Sequence, residues 1–287
     1  MTEAPVVLKI EHLDLSIIKG GQTVPILHDI NLEIRDGEWW AIAGESGAGK
    51  SMTMYALTSL LPEKSTLISG KILYREEDGS YTDLLMLPFE QRSVYCARKV
   101  SLIFQDSINA LNPFETIGSQ WQHTLRCLHP DMGKKERVDH IKARLLQFGI
   151  TDEQVIRKYP HQLSGGMRQR IAIAMALESD SRILIADEPT TSLDTINQRK
   201  VVDFIQDLCR KRGLTLIYIS HNLALLDAVC THAAVIFRGH ILESGTIDDV
   251  FHRPRESYTK ELIDETMKLA VPAGITVERA ELKPEVI

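Results

Sequence analysis

Eight consecutive residues, Gly44-Glu45-Ser46-Gly47-Ala48-Gly49-Lys50-Ser51, follow the pattern of a loop built to hold phosphate. Glycines at that spacing let the backbone curl, so that successive N–H groups point inward at anionic oxygens. A helix beginning there adds the positive end of its dipole. Lys50 is the charge for the β- and γ-phosphates, the Ser51 hydroxyl is the candidate ligand for Mg²⁺, and Met52 completes the nucleotide-binding stretch. A second candidate is Asp187-Glu188, which closes the apolar run Ile183-Leu184-Ile185-Ala186. Asp187 can hold Mg²⁺ through water, and Glu188 can polarise an attacking water. Acids also end buried strands simply as solvated groups, so this pair alone does not define a reaction.

The surrounding elements suit these roles. Residues 39–43 are a short apolar run that reads as a buried strand feeding the loop, and residues 52–61 read as a helix stopped by Pro62. Residues 6–18 and 26–34 alternate loosely between apolar and polar, punctuated by Gly20-Gly21 and Asp36-Gly37, and read as paired strands. Residues 70–74 look like another strand, residues 75–82 a surface hairpin tip, and residues 100–104 a core strand ending at Gln105. Residues 106–163 differ in character. There Val138, Ile141, Leu145 and Leu146 share one helical face, with Lys135, Arg137, Lys142 and Arg144 elsewhere, and Pro113, Pro130 and Pro160 break the region into short pieces. Helices are expected at 171–177 and 201–209, with buried strands at 183–186 and 214–219. Two more strands, 234–237 and 240–243, flank an Arg238-Gly239 turn. Apolar strands alternating with helices are the pattern of a mostly parallel α/β sheet. Past Arg253 the chain reads as a helix and a loose tail.

At 287 residues, with 44% hydrophobic and 25% charged residues, the composition is that of an ordinary globular protein with a sizeable core. A net charge of −6 argues against nucleic acid as a partner, because neutralising phosphates needs clustered Lys and Arg. Cys96, Cys127, Cys209 and Cys230 have no metal-site spacing and are expected as buried thiols in a reducing compartment. Residues 1–5 lead directly into a strand pattern, with nothing like a signal peptide, and no run of 18 apolar residues occurs.

One further stretch narrows the class. Leu163-Ser164-Gly165-Gly166-Met167-Arg168-Gln169-Arg170 precedes the acidic strand, and with the phosphate loop it makes the sequence resemble the ATP-binding cassette (ABC) ATPases, whose signature is LSGGQ-like. A Ser-Gly-Gly helix start is physically a second anion site, with exposed N–H groups and no Cβ to block close approach. The resemblance implies an α/β fold: a P-loop NTPase with a RecA-like core, an antiparallel β subdomain and an inserted helical subdomain. The expected division is 1–105 for the first part of the core with the β subdomain, 106–163 for the helical subdomain, 164–252 for the rest of the core, and 253–287 for a C-terminal extension.

The resemblance also implies roles. Gln105 matches the glutamine that senses Mg²⁺ and the γ-phosphate, Ser192-Leu193-Asp194 the loop crossing a dimer interface, and His221 the switch histidine at the γ-phosphate and the catalytic water. ATP and Mg²⁺ are the implied ligands, ATP lying between each phosphate loop and the partner's signature in a head-to-tail dimer. Ile17, beside Ile18, stands where the family usually has an aromatic to stack on adenine, and Met167 where Gln is commonest.

Within the family the chain is most similar to the ATPases of oligopeptide, dipeptide and nickel importers, and to the first ATPase of their unlike pairs. Ala110-Leu111-Asn112-Pro113, Tyr159-Pro160-His161-Gln162 and a tail at 253–259 resembling an H-P-Y-T segment carry the likeness to the group, and Ser46-Gly47-Ala48-Gly49 with Met167 that to the first of the pair. The implied partners are a second ABC ATPase, two transmembrane permease subunits and a solute-binding protein, at the cytoplasmic face of a bacterial inner membrane. With no cysteine after Cys230, the C-terminal iron–sulfur cluster of some peptide members is not expected. A soluble ABC ATPase acting on DNA or ribosomes, and an exporter subunit, are the alternatives.

Overall fold

The computed structural model describes residues 4–104, 111–179, 181–190 and 195–267. In chain order its elements are β1 (Val6–Lys19), β2 (Gln22–Arg35), β3 (Trp39–Ala43), α1 (Lys50–Leu57), β4 (Thr66–Arg75), β5 (Tyr81–Asp83), α2 (Phe89–Lys99) and β6 (Val100–Ile103). Next come α3 (Ile117–Leu128), α4 (Lys134–Gln147), α5 (Gly165–Ala176), β7 (Ile183–Asp187), α6 (Thr195–Arg212) and β8 (Thr215–Ile219). The order ends with α7 (Leu223–Val229), β9 (His232–Phe237), β10 (His240–Thr246) and α8 (Ser257–Met267). The chain divides into two compact units, residues 1–93 with 213–287, and residues 94–212.

In the first unit β1 pairs antiparallel with β2 and β4, and β4 with β5. The loose alternation of β1 and β2 has a geometric cause. Ile10 and Leu13 are three residues apart, as are Leu27 and Ile30, so strict alternation would turn one of each pair outward. Bulges at His12 (φ 49°) and Asp29 (φ 47°) insert the extra residue, and all four apolar side chains stay buried. The two bulges meet, His12 Nδ1 lying 2.7 Å from Asp29 Oδ1. The other strands of this unit form the set that bears the phosphate loop. β3 is parallel to β8 and β9, and β10 antiparallel to β9. Every residue of β3 and β8 is buried, as a continuous apolar run predicts for a parallel strand.

In the second unit β6 and β7 pair in parallel, from Val100 with Ile183 to Ile103 with Ala186. α3 buries Ile117, Trp121 and Leu125, and α4 buries Ile141 and Leu145. The amphipathic reading of α4 needs correction at two positions. Arg137 is buried, its guanidinium donating to the Met132 carbonyl, while Leu146, one step of about 100° beyond Leu145, is 54% exposed. The fully buried Glu178 carboxylate ties α4 to the end of α5, meeting Arg144 Nε at 3.2 Å and His140 Nε2 at 2.7 Å.

Other boundaries also move. α1 stops at Leu57 rather than at residue 61, because Ser59 takes a left-handed conformation (φ 56°) and ends the helical bonding before Pro62. β4 begins at Thr66, four residues ahead of the expected strand, through its pairing with residues 14–17. Cys96, Cys209 and Cys230 are buried, but Cys127, on the solvent side of α3, is exposed. Burial pushes the Cys209 thiol up to about 12.

Candidate nucleotide-binding site

The phosphate loop is formed and its shape is dictated from several sides within the first unit. β3 delivers the chain to Gly44, whose φ of 143° and position leave no room for a side chain: a Cβ there would lie 2.2 Å from the Ile236 carbonyl oxygen of β9. At the far end Gly49 (φ 111°) caps α1, and a Cβ would come within 2.7 Å of Leu27 Cδ2. The β9–β10 turn grips the middle, Gly239 N–H donating to the Ala48 carbonyl at 2.9 Å. Glu45, Ser46 and Gly47 form the exposed rim.

Inside this curl Lys50 is 7% exposed, and its ammonium donates to the carbonyls of Gly44 and Glu45, both at 2.7 Å. That places the ammonium at a helix N-terminus, where the charged oxygens of a polyphosphate would find it. Ser51, half-buried in the first turn of α1, has the hydroxyl that Mg²⁺ would take. Met52 follows it, half-buried. The residues present therefore fit a nucleotide with its metal.

His221 follows β8 in the same unit and is exposed. Its neighbours hold its backbone: Asn222 N–H donates to Ser220 Oγ at 3.1 Å, and Asn222 Oδ1 caps α7 by accepting from Leu225 N–H. Ile17 is half-buried in β1, opposite Val24 of β2 and Thr66 of β4.

The second unit carries the other candidates. Leu163 is buried and Ser164 caps α5, its Oγ accepting from Met167 N–H at 3.3 Å. A Cβ added at Gly165 or Gly166 would meet no atom of the described residues within 4 Å, so among these the helix start is open. Asp187 is buried at the end of β7, and half-buried Glu188 takes φ 45°, a left-handed conformation unusual for this residue type. That turn is held from both helices that flank it. Gln169 of α5, 2% exposed, donates to the Pro189 carbonyl at 2.7 Å, and Gln198 of α6 donates to the Thr190 carbonyl at 3.2 Å.

The structure thus brings the loop, Lys50 and Ser51 together in one unit, and links the signature helix to the Asp187-Glu188 turn in the other. Gln105 and Ser192-Leu193-Asp194 lie outside the described residues. Three partners of the site had no sequence signal for their roles: the Ile236 carbonyl, Gln169, and Tyr258, whose hydroxyl accepts from Glu45 N–H at 3.3 Å. All three are long-range contacts that no local pattern encodes.

Comparison with known proteins adds a family. Residues 27–191 match the family model described as ABC transporter. The dipeptide transport ATP-binding protein DppD of Bacillus subtilis is 38% identical over 265 residues, covering 92% of this chain and 77% of DppD. The glutathione import ATP-binding protein GsiA of Escherichia coli (strain K12) is 33% identical over 275 residues, covering 95% of this chain but 44% of GsiA, so the chain spans less than half of that relative. Among solved structures, a dimeric ATP-binding cassette in a post-hydrolysis state with ADP and Pi superposes with a TM-score of 0.68 at 23% identity, over 84% of this chain and 98% of that one. The cbiO1 protein from Clostridium perfringens, part of the ABC transporter complex cbiONQ, also gives 0.68, at 25% identity over 91% of this chain and 94% of that one.

Proposed function

We propose, because this chain belongs to the ABC transporter family as an ATPase, that it powers an importer of dipeptides or other small peptides. The carrying observation is the formed loop with Lys50 held inside it, which suits a nucleoside triphosphate. The similarity to DppD and GsiA, whose cargoes by name are a dipeptide and a tripeptide, favours peptide over nickel or a metal chelate.

In this reading Lys50 and the loop N–H groups bind the phosphates of ATP, and Ile17 covers the base. Mg²⁺, taken by Ser51 with Gln105 and with Asp187 through water, would neutralise charge on the β- and γ-phosphates. Glu188 takes a proton from the attacking water as its oxygen bonds to the γ-phosphorus. The bond to the β–γ bridging oxygen breaks, leaving ADP and phosphate. His221 orients that water. The Ser164-Gly165-Gly166 helix start, with Leu163 and Met167, binds the ATP held by a second cassette, and Ser192-Leu193-Asp194 crosses the interface. Tighter binding of ATP to the closed pair is the source of work. Residues 106–163 pass the motion to a permease helix. The partners are a second ABC ATPase, two permease subunits and a solute-binding protein, with this chain peripheral on the cytoplasmic face. Among the described residues no helix is long and apolar enough to cross a membrane.

Purification of the tagged chain from its native membranes in mild detergent tests the assembly. Two polytopic proteins and a second ATPase are expected; recovery of soluble partners alone overturns the importer. In the purified complex Glu188→Gln should still bind ATP while turnover from its own site falls by a factor of about 10² or more. Lys50→Ala should lose nucleotide affinity, and an unchanged affinity would refute the phosphate-loop assignment.

A further inference from the structure

The segment after β10 reaches back to the phosphate loop. Its path is pinned first by Glu243, whose carboxylate accepts from the N–H groups of Arg255 (2.9 Å) and Glu256 (3.3 Å) just ahead of α8. In the first turn of α8, Thr259 is fully buried and Tyr258 half-buried. The Tyr258 ring packs against Phe237 at 4.1 Å between centroids. Phe237 ends β9, next to the turn whose Gly239 N–H holds the Ala48 carbonyl of the loop. Tyr258 therefore rests on the same strand end that grips the loop.

Its hydroxyl completes a clamp. Glu45 N–H and the Gly44 carbonyl belong to one peptide group, and a trans peptide points these two atoms to opposite sides. On one side the Gly44 oxygen accepts from Lys50 Nζ at 2.7 Å; on the other, Glu45 N–H donates to Tyr258 Oη at 3.3 Å. Turning that peptide so that its oxygen leaves Lys50 would also break the bond to Tyr258. The phenol stays protonated at neutral pH: burial raises an already high value, the bond from Glu45 N–H pulls it partly back, and the carboxylates of Glu45, Glu265 and Glu261 add to the rise.

We propose that Tyr258 is a positioning residue of the phosphate loop, fixing through the Gly44–Glu45 peptide the place from which Lys50 meets the phosphates of a nucleotide. The C-terminal segment thereby becomes part of the nucleotide site, which neither its sequence nor the loop motif indicates. The proposal rests on the reading of the loop as that site.

Tyr258→Phe keeps the ring on Phe237 and removes only the hydroxyl. With the full-length chain and the fluorescent trinitrophenyl derivative of ATP as probe, Kd should rise about three- to tenfold, the weight of one hydrogen bond. In the assembled complex KM for ATP should rise by the same factor with kcat changed less than about twofold. A double-mutant cycle identifies the route: in a Lys50→Ala background, Tyr258→Phe should add no further loss. An equal loss in both backgrounds would mean a general loosening of the fold and would overturn the positioning role. Unchanged Kd in Tyr258→Phe, with affinity lost in Lys50→Ala, would also overturn it while leaving the nucleotide site standing. Unchanged affinity in both variants would overturn the nucleotide reading itself.

Discussion

A Cβ placed on Gly44 would sit 2.2 Å from a backbone oxygen, whereas one placed on Gly165 or Gly166 would touch none of the described residues within 4 Å. Gly44 and Gly49 also need positive φ, and the two signature glycines do not. The loop glycines thus answer to their own chain: the Ile236 carbonyl, Leu27 and the turn of the backbone. Among the described residues nothing requires glycine at the start of α5, where it favours the helix less than alanine would. An approach from outside, as by the proposed partner-bound ATP, would supply a reason. One motif is explained by its own surroundings, and the other by the proposed complex.

Gly44→Ala combines an unfavourable φ with a clash against backbone that cannot move aside, and should cost about 3 kcal/mol of stability by denaturant unfolding. Gly166→Ala should leave stability within about 1 kcal/mol, on the stabilising side, because alanine favours the helix. It should nevertheless depress ATP turnover in the assembled transporter. Comparable destabilisation by both substitutions would erase the distinction.

A smaller effect tests whether the open motif is mechanically tied to chemistry. Gln169 lies two residues after Met167 and donates its buried amide to the Pro189 carbonyl, next to Glu188 with its φ of 45°. Gln169→Leu leaves that carbonyl without this donor and should cost about 2 kcal/mol. If the bond also holds Glu188 in its strained turn, kcat falls while Kd for ATP at the chain's own loop is unchanged. A parallel rise in Kd would show that the contact serves the fold in general.

These cases also show where sequence reading succeeds. The loop, the strand before it and the acidic strand end are legible because each rests on short-range spacing or on a continuous apolar run. The alternation of β1 is legible only in part, since the bulge at His12 depends on its partner at Asp29, 17 residues away. The strain at Glu188, the burial of Arg137 and the exposure of Cys127 follow from neighbours that local periodicity does not specify. The Tyr258 contact spans 213 residues, and its only sequence trace is a tail resembling an H-P-Y-T segment, which carries no geometry.

The smallest expected effect concerns the base rather than the phosphates. Ile17, half-buried opposite Val24 and Thr66, would on the proposed reading offer the base branched aliphatic carbon in place of an aromatic ring. Apolar contact covers any purine face about equally, whereas ring stacking adds about 0.5–1.5 kcal/mol that depends on the electronics of the base. The wild type should therefore hydrolyse ATP and GTP with similar kcat/KM, since the phosphate contacts from Lys50 and the loop are common to both nucleotides. Ile17→Tyr should improve ATP affinity by up to about tenfold, with Val24 and Thr66 directly opposite the new ring. Strong discrimination against GTP by the wild type would mean that groups other than Ile17 read the base, and the loop would then no longer be the self-sufficient half of the comparison.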